Sequence, residues 1–430
     1  MHQLTKWLKI GFLGFLLIPV NNLKAQTSST LSLEDVYDLS RKNYPLIQQQ
    51  GLIAKTAALS VDNLRKGLLP QLSMLAQASY QSEVTQVKIP VPGVTIDPLS
   101  KDQYKLVTDL NQVIYDGGMF RSQKDLQIQN AAVETNRIEV DIYKLKERVS
   151  QLYLGILFID EQLKQADLIK ADINNGIKKV EAQVANGIAF RSNLNLLQAE
   201  LLKADQIVIE LQSSMEGFLQ ALGLLVGKQL PADQQFQNPG LSNSVAVKSE
   251  ILRPELQLFA AQDKMLQSQL SLIKARNTPK ASFFTQGGYA KPGLNFLKNQ
   301  FDFYFISGFR VNWTISSLYT SKKEKELVEI NRRTVQIQKE TFLLNTNSTL
   351  IQQKADLEKL SRLIQSDQQI IDLRVKVKEA AKAQLENGVI TANDYLREVN
   401  AEDLARQNLI AHQLQLLQAQ INFKNTSGQQ

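Results

Sequence analysis

Residues 301–315 of the chain, FDFYFISGFRVNWTI, decide the fold because two kinds of side chain alternate along them. Large apolar side chains share one face: Phe301, Phe303, Phe305, Phe309, Val311, Trp313 and Ile315. Asp302, Arg310 and Asn312 fall on the other face. A period of two residues is the spacing of a β-strand. The stretch therefore predicts a strand with one apolar and one polar face.

A partner strand precedes this stretch, and together they predict a β-hairpin over residues 281–315. Phe283 and Tyr289 lie in the partner strand, and a Pro-Gly pair marks the loop between the two strands. Residues 71–115 alternate in the same way, with a longer loop that contains several prolines. The sequence thus predicts two hairpins and four strands.

The two hairpins belong to a repeat that covers most of the chain. Three residues recur 209 positions later, as the pairs Pro45 and Pro254, Pro70 and Pro279, and Tyr80 and Tyr289. The offset falls to 201 after the hairpins, because the first hairpin has the longer loop. Two long copies in one chain indicate that each half repeats one structural unit.

The repeat divides the chain into segments. We predict a first repeat over residues 26–227, a linker at 228–250, a second repeat over 251–425 and a tail at 426–430. In residues 1–25, Lys6 and Lys9 precede an apolar run too short to span a bilayer, and a small residue suited to cleavage follows. They predict a secretory signal peptide and therefore an exported protein.

Each repeat consists of a helix, the hairpin, a very long helix and a shorter return helix. The long helices are predicted at 118–185 and 318–386, and each would span about 100 Å. In the first, apolar residues are spaced alternately by three and four, with only Lys170 breaking the pattern, which is a coiled-coil heptad. Each long helix ends at an Asn-Gly pair, a common helix stop. The helices before the hairpins can extend the shorter return helices by stacking end to end.

Composition excludes several kinds of chemistry. The chain of 430 residues has no cysteine and two histidines, so disulfides, thiolate metal sites and cysteine nucleophiles are absent. It shows no phosphate-binding glycine loop and no carboxylates clustered at ligand spacing, so we predict no enzyme activity, no cofactor and no metal. The net charge of +7 is spread along the sequence, which favours solvated helix faces over nucleic-acid binding.

An exported chain with alternating hairpins and no apolar helix predicts a transmembrane β-barrel. A soluble sandwich would explain the same alternation. Four strands cannot close a barrel, because about eight is the smallest number that can. Two chains would supply eight strands and three would supply twelve, and the residue pattern does not choose between them. A periplasmic coiled-coil adaptor or scaffold is the alternative, although it would leave the row of phenylalanines exposed to water.

The chain resembles the TolC family of outer-membrane efflux channels from Leu31 to about Phe423. The resemblance rests on the order of several segments: Leu31-Ser32-Leu33, Leu69-Pro70, Ile114-Tyr115-Asp116-Gly117-Gly118, Ala182-Gln183 through Asn186-Gly187, and Leu222 to Gly227. Copy two departs from the pattern, with Ser316-Ser317 where the family often repeats Asp-Gly-Gly.

The resemblance implies a mainly α-helical fold with a transmembrane β-barrel part. It implies a homotrimer whose twelve strands form one outer-membrane barrel, continued by an α-helical tunnel through the periplasm. Such channels passively export drugs, metal ions, small toxic molecules or proteins. A periplasmic adaptor, an inner-membrane pump and outer-membrane lipid are the implied partners, without nucleic acid. The implied location is the bacterial outer membrane, with most of the chain in the periplasm.

The helix turns are the candidate functional residues that the resemblance implies. In the family, corresponding turns form the periplasmic mouth of the tunnel and meet the adaptor. The candidates for adaptor docking are Ala185, Asn186, Gly187, Ile188, Asn387, Gly388, Val389 and Ile390. A plain helix C-cap is an alternative explanation for both Asn-Gly pairs.

Asp394 and Arg397 are the candidates for the periplasmic aperture. Asp394 matches an aspartate that often rings the closed mouth in the family, whereas Arg397 departs from a second one. Three copies of Asp394 around an axis would attract cations. Arg397 lies one turn further on and can pair with Asp394, and an ordinary surface pair is an equal alternative.

Aromatic residues near the strand ends are candidates for the membrane interfaces. They are Tyr80, Tyr115, Tyr289, Tyr304 and Trp313. Aromatic side chains also favour strands in general, so their presence alone does not decide the assignment.

Overall fold

The computed structural model describes residues 30–86, 98–240 and 250–429. The predicted signal peptide and the prolines at positions 90 and 92 lie outside the described residues. The helices are α1 (Leu33–Asn43), α2 (Ile47–Lys66), α3 (Met119–Ala185), α4 (Arg191–Val226), α5 (Pro254–Arg276), α6 (Leu318–Glu386) and α7 (Ala392–Ser427). The strands are β1 (Gln71–Tyr80), β2 (Asp102–Tyr115), β3 (Lys280–Lys291) and β4 (Asp302–Asn312). The prediction of long helical hairpins and four strands is confirmed.

The four strands form one antiparallel sheet in the order β1-β2-β3-β4. Each predicted hairpin pairs with itself, as in Met74 opposite Thr108. In addition, β2 pairs with β3, with Leu106 opposite Tyr289, so the sheet joins the two repeats. Strands β1 and β4 are the edges, and neither has an outer neighbour among the described strands.

The two faces of the sheet differ sharply in polarity. Phe303, Phe305 and Phe309 lie on one face and are 76–82% exposed. Tyr304 lies between Phe303 and Phe305 along β4, so its side chain is on the opposite face. There its ring covers Gly288, the residue directly opposite on β3, where an added Cβ would meet the ring. Tyr304 therefore belongs to the polar face, and its placement at a membrane interface stays a prediction.

The first long helix forms the predicted apolar seam. Nine of its heptad positions are buried: Ile142, Leu145, Val149, Ile156, Ile159, Ala166, Ile173, Ile177 and Val180. Lys170, the one polar position in the seam, forms a salt bridge with Asp205 on α4 at 2.7 Å. The charge of Lys170 is thus paired by a carboxylate on α4, the return helix of the same hairpin.

The short helices stack on the ends of the return helices, as predicted. At the end of α4, the side chain of Asn43 donates hydrogen bonds to the carbonyls of Leu224 and Leu225, each at 3.1 Å. At the end of α7, the N–H of Leu252 donates to the carbonyl of Ser427 at 2.8 Å, just before α5 begins. Backbone groups at the helix ends are satisfied in this way.

A buried tyrosine on α3 holds the residues just before α1 in place. Tyr153 on α3 is fully buried, and its hydroxyl donates to the carbonyl of Gln237 at 2.6 Å. The same hydroxyl lies 2.8 Å from the carbonyl of Leu31, which bridges to Phe236. Part of the predicted linker is therefore packed against the first repeat.

Helix α7 continues past residue 425, where the second repeat was predicted to end. It ends at Ser427, because Gly428 adopts a positive φ of 80° and its N–H donates to the carbonyl of Lys424. The predicted tail at 426–430 is therefore shorter than expected. Among the described helices, none combines the length and the apolar character needed to cross a bilayer.

Candidate functional site

The two helix turns have the same backbone geometry. After α3, the N–H of Ile188 donates to the carbonyl of Gln183 at 2.8 Å. After α6, the N–H of Val389 donates to the carbonyl of Gln384 at the same distance. The intervening glycines, Gly187 and Gly388, adopt φ values of 70° and 67°. Both turns are Schellman motifs, in which glycine takes the left-handed conformation at low cost.

The tips of these turns present apolar side chains to the surroundings. Ile188 and Val389 are 69% and 70% exposed, and Phe190 is 81% exposed. Ala185, Asn186, Gly187, Asn387 and Gly388 are exposed as well. Ile390 differs, because it is half-buried against the cluster around Tyr395. The two turns therefore expose apolar side chains at equivalent positions, at the end of the helices farthest from the sheet.

The two copies differ in how the return helix begins. In copy two, the hydroxyl of Thr391 donates to Asp394 Oδ2 at 2.7 Å, and the N–H of Asp394 donates back to the hydroxyl oxygen at 3.2 Å. This is a capping box. In copy one the equivalent positions hold Phe190 and Asn193. The hydroxyl and backbone N–H of Thr391 lower the pKa of Asp394. Asp394 therefore carries its charge at neutral pH.

Arg397 does not pair with Asp394, so this prediction is wrong. The Nε of Arg397 lies 3.3 Å from Glu398 Oε1 instead, and the Arg397 side chain is 75% exposed. Glu398 also reaches Arg374 on α6 at 3.5 Å. The Asp394 carboxylate accepts hydrogen bonds from Thr391 at the start of the helix. Arg397 pairs with the Glu398 carboxylate instead.

A partly buried charge network lies about two helical turns closer to the sheet than the aperture candidates. Lys378 Nζ on α6 is 2.8 Å from Asp172 Oδ2 on α3 and 2.6 Å from Glu402 Oε2 on α7. The Nε of Arg406 is 2.5 Å from Glu402 Oε1. Glu402 is 4% exposed. The network joins three helices from both repeats.

The network favours the charged forms of Glu402 and Lys378. Burial alone disfavours the charged forms of Glu402 and Lys378. Hydrogen bonds from Lys378 and Arg406 outweigh burial and hold the pKa of Glu402 below its usual value. Hydrogen bonds to Asp172 and Glu402 likewise raise the pKa of Lys378 despite its burial. Each charged form is thus stabilised by its partners.

Sequence reasoning missed this network. Glu402 and Arg406 have the spacing of a helical salt bridge, which is a visible signal. Nothing in the sequence points from Lys378 to Asp172, because the two lie 206 positions apart. Only the packing of α6 against α3 brings them together.

Further polar contacts tie the second turn to the first long helix. The side chain of Gln183 donates to the carbonyl of Leu385 at 2.9 Å, and Lys179 forms a salt bridge with Glu386. The side chain of Gln165 donates to Asp403 Oδ1 at 3.0 Å. Within one chain, these contacts therefore connect the two helical hairpins near their turns.

Two helical hairpins about 100 Å long, joined to an unclosed four-stranded sheet with one apolar face, define the architecture of outer-membrane efflux channels. Residues 36–228 match the family model described as outer membrane efflux protein. This match covers most of the first repeat and confirms the resemblance to outer-membrane efflux channels seen in the sequence. No curated protein matches the chain.

Several solved structures share the fold over most of the chain. A membrane protein of Pseudomonas aeruginosa is 17% identical, with a TM-score of 0.68, and the match covers 92% of this chain and 90% of that one. The CmeC outer membrane channel of Campylobacter jejuni is 15% identical, with a TM-score of 0.65 and coverage of 92% and 85%. The MtrE outer membrane channel of Neisseria gonorrhoeae is 16% identical, with a TM-score of 0.64 and coverage of 92% and 89%.

Proposed function

We propose that the chain forms the outer-membrane exit duct of a tripartite efflux or secretion system, as a homotrimer. The observation that carries the proposal is the sheet, which has two unpaired edges in the described chain and one exposed apolar face. Unpaired edges and exposed phenylalanines are both unfavourable in water. Closure with other copies in a membrane would remove both problems.

Closure requires more than one copy of the chain. Four strands are too few for a barrel, and edge β1 of one copy can pair with edge β4 of the next. Two or three copies would both supply enough strands. The shared fold with outer membrane channels favours three, giving twelve strands and a tunnel built from the long hairpins.

The apolar face supports placing the sheet in the membrane. Phe303, Phe305 and Phe309 would face lipid, whereas Asp109, Gln286 and Arg310 lie on the opposite face and would line a wet lumen. The helices would extend from this barrel into the periplasm.

The tips of the helix turns would form the periplasmic mouth. Their exposed apolar side chains, led by Ile188 and Val389, suit contact with a periplasmic adaptor that links the duct to an inner-membrane pump. Asp394 from three copies would place anionic charge at the aperture. The cargo would be small molecules such as drugs or metal ions, or proteins, passing without chemical change.

The test of the duct is extraction of the outer-membrane fraction in detergent, followed by sizing and imaging by electron microscopy. We expect a trimer with a short barrel and a tunnel about 100 Å long. A signal-cleaved protein that stays soluble and monomeric without detergent would instead support the periplasmic scaffold.

Adaptor contact can be tested by placing a photo-cross-linking residue at Ile188 or Val389. We expect both positions to capture a periplasmic protein that mass spectrometry identifies as an adaptor. The matched control is Leu224, which is 80% exposed but lies at the far end of its helix. Equal capture from Leu224 would contradict docking at the turns.

A further inference from the structure

Basic residues are concentrated where the helices meet the sheet. Four helix ends adjoin it: the last eight residues of α2 and α5 and the first eight of α3 and α6. These segments contain nine basic residues: Arg65, Lys66, Arg121, Lys124, Lys274, Arg276, Lys322, Lys323 and Lys325. They contain three acidic residues: Asp62, Asp125 and Glu324. We call these nine residues the basic belt.

The fold gathers the belt from distant parts of the sequence. Gln71 at the start of β1 is paired with Asn111 near the end of β2, and Lys280 at the start of β3 is paired with Asn312 at the end of β4. Tyr115, which ends β2, is paired with Ala281. All four helix ends therefore adjoin the same end of the sheet, where β1 and β3 begin and β2 and β4 finish.

The opposite ends of the helices carry no such excess. The last eight residues of α3 and α6 and the first eight of α4 and α7 contain five basic and five acidic residues. They are Lys178, Lys179, Arg191, Lys382 and Arg397, against Glu181, Glu379, Glu386, Asp394 and Glu398. The positive charge is spread along the sequence as predicted, and the fold concentrates part of it at the sheet end.

Most of the belt lacks an acidic partner. Lys66 pairs with Asp62, and Arg276 pairs with Glu324. The other seven form no salt bridge with any described residue: Arg65, Arg121, Lys124, Lys274, Lys322, Lys323 and Lys325. Five of these seven are exposed: Arg65, Arg121, Lys274, Lys322 and Lys323. Unpaired like charges held close together repel each other, so an anionic partner would relieve an unfavourable arrangement.

Aromatic residues separate the belt from the apolar face of the sheet. Trp313 follows β4 directly and is 49% exposed, and Tyr319 in the first turn of α6 is 82% exposed. Lys322 and Lys323 lie one helical turn beyond Tyr319, about 5 Å along the axis. From Phe309 to Leu318 the large hydrophobic side chains are exposed, with Trp313 among them, and Tyr319 lies next before the basic residues that begin at Lys322. This is the order that a protein surface shows from the hydrocarbon to the headgroups of a bilayer.

We propose that the basic belt binds the headgroups of anionic glycerophospholipids in the membrane leaflet on the side of the helices. The proposal rests on the proposed function, since it requires the sheet to lie in a membrane. Phosphate groups at the depth of Lys322 and Lys323 would neutralise the belt, and the apolar sheet face would contact the acyl chains of the same lipids. The contact would hold the barrel at a fixed depth.

The test uses the full-length protein in detergent and native mass spectrometry with phosphatidylglycerol or phosphatidylethanolamine. We expect the wild type to bind phosphatidylglycerol more tightly, and added sodium chloride to weaken that preference. Each basic residue near an anionic surface contributes roughly fivefold. The triple variant Lys322→Gln, Lys323→Gln, Lys325→Gln should therefore lose up to about a hundredfold of the preference.

The matched control removes the same charge from the mouth end, as Lys178→Gln, Arg191→Gln, Lys382→Gln. This variant should keep the wild-type preference for phosphatidylglycerol. An unchanged preference in the belt variant, or an equal loss in the control, would overturn the proposal. Equal binding of lipopolysaccharide, lost in the same belt variant, would overturn the assignment to glycerophospholipid.

Reconstitution separates this proposal from the proposed function. A protein that enters vesicles of phosphatidylethanolamine alone and shows no preference for phosphatidylglycerol would overturn only the lipid contact. A protein that fails to float with vesicles of either composition would overturn both. Melting temperatures of the two triple variants in detergent, compared with wild type, identify any loss caused by misfolding.

Discussion

Lys378 on α6 and Glu402 on α7 form a salt bridge of 2.6 Å inside the helical part, and Lys378 reaches Asp172 on α3 from the same position. One lysine therefore connects the two repeats near the helix turns that follow α3 and α6. Apolar side chains such as Ile173 and Tyr395 form packed clusters near these helix ends, and the network adds a directional contact to that packing.

Replacing Lys378 with methionine should destabilise the protein by about 2 kcal/mol, because Asp172 and Glu402 lose a partner inside the bundle. The effect is limited because Arg406 still pairs with Glu402. Thermal melting in detergent should show a melting temperature lowered by several degrees. Lys376→Met is the control, since Lys376 is exposed on the same helix. Equal effects of the two substitutions would contradict a structural role for the network.

Acid should weaken the same network in a defined pH range. The pKa of Glu402 is lower in the folded protein than its ordinary value of 4.5. Its contribution to stability is therefore fully present above pH 4.5 and is lost as the pH falls through the folded-state pKa. Melting curves from pH 7 to pH 3.5 should show a constant gap between wild type and Glu402→Gln, which closes below about pH 4.5. Glu379→Gln, on an exposed residue, should show no such gap at any pH.

The residue pattern predicted the strands and long helices because their signals are local. The alternation from Phe301 to Ile315 and the heptads of α3 each act over a few residues. The pairing of β2 with β3 was not predicted, since alternation reveals a strand but not its neighbour. The basic belt escaped notice for the same reason, because its members meet only when four helix ends adjoin one sheet.

At the candidate site, the sequence predicted the positions of the helix turns but not the ion-pair partners of the charged residues. The Asn-Gly pairs mark the Schellman motifs directly. The spacing of Thr391 and Asp394 is also a local capping signal, and recognising it would have shown that Asp394 is already engaged. The partners of Arg397 and Lys378 depend on which helices pack together, and one sequence does not contain that information.

Phe305 and Ile306 provide a direct test of membrane insertion, because these neighbours lie on opposite faces of β4. Arginine at Phe305 would face lipid and should cost about 2–4 kcal/mol near the bilayer midplane. Arginine at Ile306 would face the wet side and should be tolerated. Expression of each variant and measurement of its yield in the outer-membrane fraction should show loss only for Phe305→Arg. A soluble sheet would tolerate arginine at the exposed position 305, so equal yields would contradict the barrel.

Asp394 has two roles that substitution can separate. Asp394→Asn removes the charge and keeps an oxygen that can accept from Thr391, whereas Asp394→Ala removes both. If the charge controls the aperture, both variants should raise the conductance and reduce block by divalent cations in planar bilayers, because the anionic ring is lost. If only the helix cap matters, the alanine variant alone should change. Asn193→Ala in copy one is the matched control and should behave as wild type, because Asn193 carries no charge. An unchanged conductance and cation block in both Asp394 variants would remove Asp394 from the aperture.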